Sequence, residues 1–131
     1  MNFQRRLIIL LGVISIFIIL INGCTYVTPD YDYDSYTVSY IKVTPSSATM
    51  QLSSSKKFKI LAYDSENNLI PVDPSEVEWG ATYECWVCGK VWKLNPESGS
   101  VTTYFTPERI GRYYIWGHYK GEIDDSRVDV E

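Results

Sequence analysis

The residues of this chain able to do chemistry are few, and two of them are close together. Cys85, Cys88 and Gly89 form a Cys-x-x-Cys-Gly turn within Tyr83-Glu84-Cys85-Trp86-Val87-Cys88-Gly89-Lys90-Val91-Trp92. Such a turn points both sulfurs at one centre, and the glycine takes a positive φ. A zinc or iron ion held there needs four ligands, yet the chain has 3 cysteines and 1 histidine in all. Only His118 could add a nitrogen, with a carboxylate as the fourth ligand, unless a dimer supplied two more sulfurs. The competing states are a disulfide and a pair of free thiols. Cysteines three residues apart in a turn lie within about 7 Å, a separation that a disulfide tolerates.

The local run resembles a rubredoxin or zinc-ribbon knuckle, which implies a small metal-binding or redox accessory role for Cys85 and Cys88. A catalytic redox pair needs a βαβ context and a helix N-terminus, and neither is visible here. Trp86 and Trp92 flank the pair. Exposed on a hairpin, they could stack on sugar rings or anchor a protein partner; packed inward, they would cover an edge of the fold. Enzyme signatures are absent: there is no phosphate loop, nucleophile elbow or Ser/His/Asp set. His118 falls in an alternating strand, which suits a packed or surface histidine. Glu76, Glu78 and Glu84 cluster before the knuckle, but a paired-carboxylate glycosidase wants a deeper cleft than one small domain provides. The expectation is therefore a protein that is not an enzyme. The net charge of −4 also argues against a nucleic-acid partner.

The remaining cysteine has a different context. Arg5 and Arg6 precede an apolar stretch from Leu7 to Ile21, interrupted only by Gly12 and Ser15. It is shorter than the ~20 residues that cross a bilayer and suits an export signal. It ends Ile21-Asn22-Gly23-Cys24, which resembles the bacterial lipobox. That resemblance implies cleavage before Cys24, a diacylglyceryl group on its sulfur, and a membrane partner engaged through lipid chains rather than through a spanning helix. Residues 1–23 are then a lipoprotein signal peptide. Without Arg5 and Arg6 the remainder is more acidic than the whole chain. Export also favours the disulfide at Cys85 and Cys88, because thiols outside the cytoplasm tend to oxidise.

Residues 24–37 hold Pro29 and alternating Asp30, Asp32 and Asp34, and read as a lipidated flexible tether. The aspartates begin like a calcium loop, but neither its glycine nor its closing glutamate follows. From residue 38 to 131 the pattern is strand, turn, strand. Ile41-Lys42-Val43, Phe58-Ile60-Ala62, Val77-Glu78-Trp79, Val101-Thr103-Phe105, Tyr113-Ile115-Gly117 and Val128-Val130 alternate between turn clusters such as Asp64 to Asn68. Short strands at that spacing predict an all-β antiparallel sandwich. The segment from about 80 to 95 reads as an insertion carrying the Cys-x-x-Cys pair.

Several of these segments together resemble the bacterial immunoglobulin-like repeats of adhesins and cell-wall proteins. The matching pieces are Ile41-Lys42-Val43-Thr44-Pro45, Ala62-Tyr63-Asp64, Val77-Glu78-Trp79, Thr106-Pro107, Gly111-Arg112-Tyr113-Tyr114-Ile115 and Val128-Asp129-Val130. The resemblance implies an immunoglobulin-like sandwich at the cell envelope, with a structural, adhesive or ligand-binding role and a protein or glycan ligand. It makes Trp79 the core tryptophan and Gly111 the corner before the penultimate strand. It also makes Tyr113 a tyrosine corner, bonded back to upstream backbone, and puts Ile115 where antibody domains carry a cysteine.

Overall fold

A computed structural model describes residues 32–85 and 87–131. The segment read as a signal peptide, Cys24 and Trp86 lie outside the described residues. Among the described residues are nine strands and two short 3₁₀ turns, Tyr33–Ser35 and Pro74–Glu76. The strands are β1 (Tyr40–Thr44), β2 (Ser47–Met50), β3 (Lys56–Tyr63), β4 (Leu69–Ile70), β5 (Glu78–Tyr83), β6 (Trp92–Asn95), β7 (Thr102–Pro107), β8 (Gly111–Tyr119) and β9 (Glu122–Val130).

They form two sheets. One runs β1-β3-β7-β6, with β4 also paired to β3; the other runs β2-β9-β8-β5. Strict alternation decides which side chains fill the space between them. On β3, Phe58, Ile60 and Ala62 are buried while Lys57 and Lys59 are exposed. On β8, Tyr113, Ile115, Gly117 and Tyr119 are buried. Trp79, Phe105 and Val128 complete the centre. The indole Nε1 of Trp79 donates to Ser100 O at 2.9 Å, so burial leaves no orphaned donor there. Gly117 is required by packing, because a Cβ there would lie 2.8 Å from Ile60 Cγ1.

The expected turns appear with their chemistry. Asp64 accepts from the backbone N–H of Glu66 (2.9 Å) and Asn68 (2.8 Å), and from the Asn68 side chain (3.0 Å). Those bonds, the Asn68 side chain first, hold its carboxyl below the usual aspartate range. Asn67 takes the positive φ of the turn.

Three features differ from the sequence reading. The first strand begins at Tyr40, two residues after the expected start of the sandwich at 38. The sandwich also has one parallel pair: β2 lies parallel to β9, with Ala48 beside Val128. Pro45 lacks a donor and ends β1. The chain then crosses to the second sheet, where it runs beside β9 in the same direction. Period-two alternation is identical in parallel and antiparallel strands, so nothing in the sequence marks the difference. Finally, the insertion contains a true strand, β6, which pairs with β7 from Trp92↔Pro107 to Asn95↔Tyr104. Leu94 is its one buried side chain, too weak a signal to read as alternation.

Candidate functional site

Where the chain leaves β5 in one sheet and enters β6 in the other, it opens a groove. Trp79 N–H bonds to Glu97 O (2.8 Å) and Gly99 N–H to Val77 O (3.0 Å), so the loop after β6 covers the first half of the β5 edge. Alternation turns the backbone groups of Ala81 and Tyr83 toward the same edge, beyond that cover. The groove there encloses about 550 Å³ and is lined by Thr82, Tyr83, Glu84, Cys85, Gly89, Trp92 and Tyr114.

The Cys-x-x-Cys turn forms the rim. Cys85 and Cys88 are joined as a disulfide with their Cα atoms 5.4 Å apart, and Cys88 N–H donates to Cys85 O at 3.2 Å. Gly89 has φ 66°, the left-handed value that such a turn demands. Both sulfurs are consumed by their mutual bond, so a metal would first need them released as thiolates. Among the described residues no group of three or more His, Cys, Asp or Glu side chains could hold a metal. His118 lies at the other end of β5, its Nδ1 3.6 Å from Glu78 Oε2, and is not brought near the cysteines.

Trp92 has two roles. It lines the groove and also packs edge-to-face on Tyr113, with ring centroids 6.3 Å apart. Tyr113 is the hub of this end of the core. Its ring meets Tyr83 at 4.6 Å and Phe105 at 5.2 Å, and its hydroxyl donates to Arg109 O at 2.7 Å. That last bond is the tyrosine corner expected from the sequence. Burial and the neighbouring Tyr83 raise the Tyr113 phenol above its ordinary pKa. Gly111 sits at φ 132°, and a Cβ there would press on the Tyr83 ring, whose hydroxyl bonds Ile110 O at 2.8 Å.

Beside the groove, the outer face of β5, β8, β9 and β2 carries side chains that the sequence reading passed over. Arg112 binds Asp129 through Nε at 2.7 Å and reaches Glu84 at 3.4 Å. Arg127 binds Asp129 at 2.6 Å, and Tyr114 Oη lies 3.4 Å from Glu84. Bonds from Arg127 and then Arg112 hold the Asp129 carboxyl below its usual range, and the Asp129 bond raises Arg112 in turn. Trp116 pairs in register with Gly80 on one side and Asp125 on the other. A Cβ on Gly80 would fall inside the Trp116 indole, so the glycine makes room for the ring. The signal for this face was the Tyr114-Trp116-His118 alternation, whose outward half has no core to explain it.

The two sheets, the core tryptophan and the tyrosine corner define an immunoglobulin-like β-sandwich. Solved domains of the S-layer protein SbsC share this fold. For its domains 5–6 the TM-score is 0.54 at 14% identity, covering 72% of this chain and 44% of that one. For its domains 4–9 the TM-score is 0.51 at 14% identity, covering 72% and 14%. The present chain thus spans less than half of each of these two structures, and likeness at this identity establishes fold. No protein-family model and no curated protein matches the chain.

Proposed function

We propose that this protein is a lipid-anchored component of a bacterial cell envelope, presenting one immunoglobulin-like domain in a structural, adhesive or ligand-binding role rather than a catalytic one. The observation that carries the reading is Ile21-Asn22-Gly23-Cys24 at the end of a short apolar stretch, in a chain whose described residues form this sandwich. Two acyl chains anchor a protein stably without a spanning helix. Among the described residues no helix is long and apolar enough to cross a membrane. The shared fold of SbsC domains, in an S-layer protein, supports an envelope role.

The geometry of attachment fits display. Lys120, in the turn between β8 and β9, donates to Tyr33 O at 3.0 Å and lies 3.6 Å from Asp34. The leading segment therefore joins the sandwich at the Lys120 end. The groove beside Cys85 opens at the opposite end of the β5–β8 pair, where Tyr83 faces Tyr113.

Expression in a bacterial host with labelled palmitate tests the anchor. The expected result is label in the membrane fraction of the intact chain and none in a Cys24→Ala variant. Equal labelling of both, or recovery of the unsubstituted protein as a soluble species, overturns the reading.

A further inference from the structure

We propose that the outer face of β8 and β9, together with the groove beside it, binds a neutral glycan, with Trp116 as the stacking platform and Asp125 as the acceptor for sugar hydroxyls. The inference deepens the display reading above by naming the ligand class.

Trp116 is a large apolar side chain on the solvent face of a sheet, partly exposed, with space cleared for its ring by Gly80. A core has no use for it there, and indole is the side chain best suited to cover the apolar C–H face of a pyranose. Among the described residues its Nε1 donor has no partner, nor does the carboxylate of Asp125, its neighbour in register. One free donor and one free acceptor thus flank the ring, which is what a polyol requires. Tyr114, two residues along the same face, continues the surface into the groove that ends at Trp92.

The charges select the ligand. Arg112 and Arg127 both bind Asp129, Glu84 is held by Arg112, and Glu78 faces His118. Among the described residues no free cation remains on this face, so an anionic polymer gains no partner and meets an acidic protein. Around Trp116 an extended peptide finds no backbone to pair with, because β8 is laddered on both sides, by β5 and by β9. A second copy would have to dry the paired charges, which costs more than their attraction returns. A hydroxylated, uncharged ligand leaves those pairs hydrated and still covers the ring.

The test uses the full chain in detergent micelles, titrated with cello-, chito-, manno- and xylo-oligosaccharides while tryptophan fluorescence is followed. At least one is expected to give a saturable change. Trp116→Ala and Asp125→Ala should each weaken that binding about tenfold or more, and Lys57→Ala on the opposite sheet should leave it unchanged. Asp125 is exposed and outside the core, so its substitution separates lost binding from lost folding. The inference is overturned if none of these sugars binds, if binding survives both substitutions, or if only heparin or an added peptide occupies the face. Absent sugar binding with Cys24-dependent membrane association intact defeats this inference alone. Sugar binding without that association defeats the anchored-display reading alone.

Discussion

Asp124 on β9 accepts a hydrogen bond from the backbone N–H of Val43 on β1 at 2.6 Å, tying the edge of one sheet to the other. Ile60 on β3 gives its N–H to Val101 O. Its partner Val43 therefore turns its own N–H to the open side of β1. An unpaired edge invites pairing with another chain. The Asp124 carboxylate occupies that donor just before Pro45 ends the strand. Asp124→Ala is expected to cost about 1–3 kcal/mol, the range for orphaning a partly buried donor. Asp124→Asn, which keeps an acceptor oxygen, should cost less. Urea midpoints at constant m-value check the order of the two.

The tyrosine corner gives a second expectation. Tyr113→Phe keeps the ring and its aromatic neighbours but removes the bond to Arg109 O. The expected loss is about 1 kcal/mol. Because the folded phenol has a raised pKa, it stays protonated where the unfolded chain ionises. Its contribution is complete below the ordinary tyrosine range and disappears as pH rises through the folded value. The alkaline fall in melting temperature should be shallower in Tyr113→Phe. Parallel alkaline profiles for the two proteins would refute this.

Ser126 is fully buried, and among the described residues its Oγ has no hydrogen-bond partner. It faces Ile115 across the β8–β9 ladder. Ser126→Ala removes an unsatisfied hydroxyl at little cost in packing and should raise stability by about 1 kcal/mol. A destabilised variant would point to a buried water holding that hydroxyl.

The disulfide closes a very small loop at the groove rim. By chain entropy it contributes no more than about 2 kcal/mol, and none of the core ladder depends on it. Cys85→Ser with Cys88→Ser should keep the β-sheet circular-dichroism spectrum and lose the small stability increment. Intact mass should rise by two hydrogens when the wild type is reduced. Global unfolding of the double variant would mean that the loop organises β6 as well.

Much of the fold was legible because its signal is local. Alternation in Phe58-Ile60-Ala62 and Tyr113-Ile115-Gly117 fixes which face of each strand is apolar, wherever that strand is placed. The Asp64 to Asn68 turn needs only its own side chains, and Tyr113 bonds a carbonyl four residues before it. The Cys-x-x-Cys-Gly turn likewise brings its two sulfurs within bonding range whatever surrounds it.

Tertiary structure alone decided the rest, because those features depend on which strands become neighbours. Alternation carries no direction, so the parallel seat of β2 on β9 was unreadable. The switch of sheet between β5 and β6 opens the groove beside Cys85 and brings Trp92 onto Tyr113, residues far apart along the chain. Asp124 looks like any acidic residue in its strand until β1 is placed beside it. Trp116 reads as one aromatic among many until register sets Gly80 beneath it and Asp125 beside it. Local pattern specifies a sandwich with a cross-linked turn; pairing and register settle which side chains share each of its surfaces.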